Sequence, residues 1–584
     1  MKSFFKAVLA TIVGILFLWI LLFITFLSIG IASLTSTHTP IKSNSVLVLN
    51  LNGIINERAP DNPFENFYGN TNPKVLGLNT LLSIIKKAEK DNNIKGISLY
   101  ANYIETDYAS LDELRQSLLH FRKTGKFVYS YSDNMSQNVY YLATACDSIF
   151  IHPQGNVEFK GLMAEVLFFN KLLKKLDIDA QIIRHGEFKS AVEPFIMDKM
   201  SKANREQMQM YVESTWNNIC QGINESRGIE IETINRIADS ILFLYNTPLA
   251  LHENFIDVIA YRDEYEAFLK KKLQVDASRD YNSISIKDYK KSILKEQTSP
   301  HNKIAVIYAN GNIIDGQGDY ENIGFEIADE IKKAREEKSI KAVVIRINSG
   351  GGSALMSDII WREVDLTKKV KPVVVSMGNY AASGGYYIAC AADFIVAQPS
   401  TLTGSIGAFG IIPNVEKFLS NKIGITTDYV KTNQHADVIS ITHPMNNYQK
   451  VVLQKGIESV YMTFVQHVAE GRDMSVEEVD SIAQGRIWTG TDAYKIGLVD
   501  TLGGLDLAIR IAAKKANMKN YSVVEKPVLK EFFEQLTESL METSISNKLN
   551  FLKINKVYPY YECWEQINQL NGIQTRLPFI LTIK

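Results

Sequence analysis

Tyr140-Tyr141-Leu142-Ala143-Thr144-Ala145-Cys146-Asp147 and Tyr386-Tyr387-Ile388-Ala389-Cys390-Ala391-Ala392-Asp393 are one motif written twice, 246 residues apart. The shift holds without a gap from about Phe127 to Ser190, and it carries Pro153 onto Pro399 and Gly161 onto Gly407. One domain therefore occurs twice, and the copies differ where chemistry could sit. The second has Ser383 in the small-residue run Ala381-Ala382-Ser383-Gly384-Gly385, where the first has Gln137. The first has Lys189 in Arg184-His185-Gly186-Glu187-Phe188-Lys189-Ser190, where the second has His435. One half holds a candidate nucleophile and the other a candidate base, which suggests one composite site.

Outward from the repeat, each copy opens on a strand-like run, Ser45–Gly53 in the first and Lys303–Gly311 in the second. Helix, strand, helix and strand follow, with strands expected at Ile94–Tyr100 and Phe127–Tyr131, and at Ala342–Ile347 and Pro372–Val375. Strands alternating with amphipathic helices specify α/β layers with mainly parallel pairing. Continuous apolar strands such as Ala342-Val343-Val344-Ile345 suit a sheet covered on both faces. Asp263–Ser299, rich in Lys, Asp, Glu and Ser, reads as a solvated helical linker. The expected order is an anchor over 1–34, a linker over 35–44, a domain over 45–262 carrying the lysine, the helical linker over 263–300, a domain over 301–518 carrying the serine, and an extension over 519–584. Within that extension Glu531–Met541 reads as an amphipathic helix, and Tyr558, Tyr560, Tyr561 and Trp564 as a docking surface.

A chain of 584 residues exceeds what one core serves. Its 63 basic and 64 acidic residues leave a net charge of −1, so no bulk field favours nucleic acid. Ala7 to Leu34 carries no charge, which exceeds the roughly 20 residues that cross a bilayer as a helix. Lys2 and Lys6 precede it, so the N-terminus is expected in the cytoplasm and the rest across the membrane. A cleaved signal peptide, ending among the small residues of Ser28–Ser33, is the competing reading. Cys146, Cys220, Cys390 and Cys563 form no CxxC and read as small buried groups. The nine histidines include no HExxH, so neither metal nor cofactor is expected.

Ser383 is expected where a strand turns into a helix, beside unpaired amides. Its bland alternative is an N-cap. Ser349-Gly350-Gly351-Gly352 could present backbone amides to an oxyanion, or could be a phosphate-binding turn; no GxxxxGK[ST] is present. Lys189 could act as a base if burial lowers its pKa, whereas most lysines are solvated.

Four stretches together resemble the signal peptide peptidases of the SppA type, in their long double-domain form. They are Asn348–Ser353, Met377–Tyr386, Thr401-Leu402-Thr403-Gly404-Ser405-Ile406-Gly407 and Phe188–Phe195. The resemblance covers roughly 45–515 and implies tandem Clp protease/crotonase-like domains after one N-terminal transmembrane helix. It makes Ser383 the nucleophile and Lys189 the general base, with Gly384, Gly351 and Gly352 as oxyanion donors and Ser405 as a possible orienter of the lysine. It implies a homotetramer anchored through residues 7–34 in the bacterial inner membrane, with its catalytic part periplasmic, degrading signal-peptide remnants and other hydrophobic peptides. The family loop usually reads Ser-Pro-Gly-Gly; here Gly350 replaces proline, which costs preorganisation but removes no donor. A triad using His435, a crotonase-type acyl-CoA enzyme and a non-catalytic scaffold are the competing readings.

Overall fold

The computed structural model describes residues 4, 6, 10–21, 41–60, 74–241, 243–244, 246–293, 301–319, 321–529, 574–576 and 582–583. Of the expected anchor, residues 10–21 are helical, while 7–9 and 22–34 lie outside the described residues. Among the described residues, no helix is long and apolar enough to cross a membrane. Glu531–Met541, Tyr558, Tyr560, Tyr561, Cys563 and Trp564 also lie outside them.

Each half is built on a parallel sheet, and the two sheets share one strand order. The first runs Val258–Ile259, Ser148–Ile151, Phe127–Ser132, Ile94–Tyr100, Ser45–Asn50, Asn282–Ser285. The second repeats it as Thr501–Leu502, Phe394–Ala397, Val373–Ala382, Ile340–Ser349, Lys303–Asn310, Ser522–Lys526, and adds a branch from Val373–Ala382 through Leu402–Gly404 to the antiparallel Ile487–Thr489. Amphipathic helices cover the sheets. Leu78–Lys90 buries Leu81, Ile84, Ile85 and Ala88, an i, i+3, i+4, i+7 stripe that suits one helical face. Phe325–Glu336 buries Ile327, Ala328, Ile331 and Ala334 in the second half in the same manner. Each half has its own apolar core.

Two expectations need correction. The stretch read as a solvated linker is largely part of the first half: Arg262–Lys272 buries Tyr265 and Leu269, and Asn282–Ser285 adds the edge strand. A charge-rich helix hides its apolar face when only two residues, four apart, point inward. The strand expected at Pro372–Val375 runs on to Ala382, because Tyr380, Ala381 and Ala382 pair in parallel with Leu402, Thr403 and Gly404.

The halves are joined by backbone and by charge. Asp179–Arg184 of the first pairs antiparallel with Phe409–Asn414 of the second, over six residue pairs. Arg346 of the second half, fully buried, donates from Nε and Nη2 to the Glu57 carboxylate at 2.9 Å each. It also donates to Glu113 at 2.8 Å, and both carboxylates belong to the first half. Ser110 donates to Asn379, and Ser400 donates to Asp112, across the same interface.

Candidate active site

Ser383 follows the last residue of the strand Val373–Ala382 and precedes the helix Gly384–Ala389. Its backbone stands at φ 54°, ψ −115°, a region that costs a non-glycine residue about 1–3 kcal/mol. The turn is that abrupt because the amide of Ser383 donates to Gly404 O at 2.8 Å while its carbonyl already accepts from Tyr387. Its side chain accepts no capping bond from the helix. The N-cap reading therefore fails, and the hydroxyl is left for another partner.

That partner is Lys189. Its Nζ lies 2.8 Å from Ser383 Oγ and 3.0 Å from both the carbonyl and the hydroxyl oxygen of Ser405. All three residues are fully buried. Burial alone holds the Lys189 amine well below the usual lysine range. Ser405, like Ser383, has a positive φ, 50°, which turns its carbonyl and its hydroxyl to the same amine.

The lysine loop is held by packing. Ala191 and Val192 bury themselves against Phe409 and Ile411 of the other half. Phe188 N donates to Gln484 O at 2.9 Å. Gly485, at φ 80°, would place a Cβ 2.6 Å from the Lys189 Cβ, so only glycine lets the loop this close. Gln207 fixes the loop from beneath, donating to Phe188 O and Ser190 Oγ while accepting from Ile487 N. Nothing local in the sequence marks Gln207 or Gly485, since each acts on residues far away along the chain.

The glycine loop meets the serine turn. A Cβ on Gly351 would lie 2.7 Å from the amide nitrogen of Gly384, so these two expected donors are neighbours. The Gly351 amide donates here to Ser349 Oγ at 3.1 Å. Gly352 sits one residue further along the strand Gly351–Ser353, paired with Ile313 and Thr575. His435, at the repeat position of Lys189, stacks on Tyr448 at 4.8 Å between ring centres. Among the described residues no cluster of His, Cys, Asp or Glu could hold a metal. Cys146, Cys220 and Cys390 are buried free thiols, with burial pushing each up to about 12.

Residues 120–276 and 365–519 each match the model for Peptidase family S49. The chain is 34% identical to "Protease 4" of Haemophilus influenzae over 554 residues, covering 92% of this chain and 89% of that one. It is 32% identical to the chloroplastic "Serine protease SPPA" of Arabidopsis thaliana over 461 residues, 77% of this chain and 68% of that one. It is 33% identical to the "Putative signal peptide peptidase SppA" of Enterococcus faecium over 238 residues, 39% of this chain and 68% of that one.

Proposed function

The chain belongs to peptidase family S49 and is a serine peptidase by that kinship, and from that premise we propose that it hydrolyses peptide bonds with a dyad of Ser383 and Lys189 drawn from its two halves. The observation that carries the proposal is the 2.8 Å approach of a buried, charge-disfavoured amine to a serine hydroxyl in a strained turn. A neutral amine has two N–H bonds and one lone pair. With the N–H bonds given to the two oxygens of Ser405, the lone pair faces Ser383.

Lys189 then takes the hydroxyl proton as Ser383 Oγ attacks the scissile carbonyl. The oxyanion is stabilised by the amides of Gly384 and of Gly351, the latter turning from Ser349 Oγ as it does so. Lys189 passes its proton to the departing amine, and water hydrolyses the acyl-enzyme with the same lysine as base. Gly352 supports the loop by pairing. No metal or cofactor takes part.

Substrates are signal-peptide remnants and other hydrophobic peptides. The long uncharged N-terminal run supports this, since an enzyme anchored at the inner membrane with a periplasmic catalytic part would meet such fragments. The name of the Enterococcus faecium relative points to the same substrates. A homotetramer is the assembly expected, to be read by sedimentation velocity in detergent.

A fluorescent fluorophosphonate tests the dyad on purified protein. Wild type labels, and Ser383→Ala and Lys189→Ala do not. Labelling that survives in Lys189→Ala would assign the base elsewhere. A folded wild type that does not label would return the scaffold reading.

A further inference from the structure

The strand edge of Gly351–Ser353, next to Gly384, is not free: a piece of the chain's own C-terminal extension pairs with it. Gln574–Arg576 forms a strand antiparallel to Gly351–Ser353, with Gly351 opposite Arg576, Gly352 opposite Thr575 and Ser353 opposite Gln574. On its other side Gln574 pairs with Phe409. Gln574 and Thr575 are buried. Thr575 Oγ1 donates to Gly352 O at 3.3 Å, and Arg576 Nη2 donates to Asn312 Oδ1 at 2.8 Å.

Contact with the catalytic loops is close. A Cβ on Gly351 would stand 2.0 Å from the carbonyl oxygen of Thr575, and one on Gly384 would stand 3.0 Å from Thr575 Oγ1. Gly351 is thus barred from carrying a side chain first by this strand, while at Gly384 the strand adds to the closer Ser357 Oγ and Ile313 Cδ1. Its direction matters as well. Being antiparallel to Gly351–Ser353, it advances from Ser353 towards Gly351, and so towards Gly384 and Ser383. An extended peptide clasped on both edges, with backbone pairing for affinity and side chains for selectivity, is how a sheet edge receives a peptide ligand.

We propose that residues 574–576 are a tethered occupant of the groove that receives substrate, so that an incoming peptide must displace them before Ser383 can be acylated. This rests on Ser383 being the nucleophile. The occupant is built to leave. Arg576, half-buried, donates to a neutral amide, Asn312, and desolvation pulls its guanidinium down to about 10. A half-buried cation hydrogen-bonded to a neutral amide is partly desolvated without a countercharge in that bond, so an apolar side chain fills the position better.

The test uses full-length protein, a short fluorogenic hydrophobic peptide and a fluorophosphonate, with the variants Thr575→Asp and Arg576→Leu. A carboxylate at the fully buried position 575 expels the strand. With an effective concentration of about 1 mM for the tether and an affinity of about 0.1 mM for the free segment, KM falls about tenfold at unchanged kcat. Ser383 then labels faster in proportion. Arg576→Leu holds the strand more firmly, so KM rises and labelling slows, an opposite effect that general damage to the fold would not give. Equal KM and labelling rates in wild type and Thr575→Asp would overturn the tethering alone. If none of the three proteins labels, the nucleophile assignment falls and the tethering falls with it.

Discussion

Positions 137 and 383 are the same point of the same fold, and the two halves treat them in opposite ways. In the first half Gln137 is locked. Its Oε1 accepts from the amides of Lys160 and Gly161 at 2.9 and 3.0 Å, and its Nε2 donates to Tyr108 and to Gly161 O. Ser136 caps the helix that follows. In the second half Ser383 caps nothing, sits at a positive φ and turns its hydroxyl to Lys189. Even the glycine pair has diverged: Gly161 closes on Gln137, while Gly407 leaves room for the Lys189 side chain, whose Cδ would be 3.1 Å from an added Cβ. One copy has been relaxed into a scaffold that delivers a lysine. The other has kept a strained turn, held by Gly404 O and the Tyr387 amide of its own half.

The sharpest way to break that contrast is to exchange the demands made on the two positions. Ser383→Ala lowers kcat/KM for a hydrophobic peptide by about 10⁵–10⁶-fold, whereas Gln137→Ala leaves it within about threefold. A comparable loss from Gln137→Ala would mean that the first half does chemistry of its own. Next in size is the joint. Arg346→Met strands Glu57 and Glu113 without their cation, and urea unfolding reports a loss of about 3–5 kcal/mol. A loss confined to activity would show that the joint positions the halves without stabilising them.

The lysine gives a third, smaller effect with a definite sign. Folding depresses the Lys189 pKa, so between the folded and unfolded values the unfolded chain binds one proton more. Stability therefore rises with pH across that window and is lost as pH falls through it. Lys189→Met removes up to about 1.4 kcal/mol per pH unit of that slope. Activity should climb with pH through the same folded value. An unchanged slope in the methionine variant would mean that the amine is charged in the folded state. Smallest is the loop. Gly350→Pro restores the stiffer Ser-Pro-Gly-Gly form and raises the unfolding free energy by about 0.4–1 kcal/mol in urea, with kcat held or slightly improved. A large loss instead would show that Gly350 has adopted a backbone proline cannot take.

The duplication and both sheets' inner strands are legible in the sequence, because each leaves a mark in local pattern or in the 246-residue shift, and the same shift singles out Ser383 and Lys189 as the positions where the copies part. What stayed hidden depends on distant partners. Val373–Ala382 runs on as strand because Leu402–Gly404 lies beside Tyr380–Ala382. Asn282–Ser285 looks like linker until Ser45–Val48 pairs with it. The Ser405 carbonyl joins the lysine through a positive φ that a serine does not announce. A three-residue strand at 574–576, more than 200 residues from Gly351–Ser353, carries no periodicity of its own.

The central claim is that one chain supplies both members of the dyad. Complementation tests it most directly: Lys189→Ala and Ser383→Ala chains, each inactive, are co-expressed, purified as mixed oligomers and assayed on a hydrophobic peptide. A dyad closed within the chain predicts that the mixture stays as inactive as either parent. Recovery of a substantial fraction of wild-type activity would contradict it, because the lysine of one subunit would then be serving the serine of another.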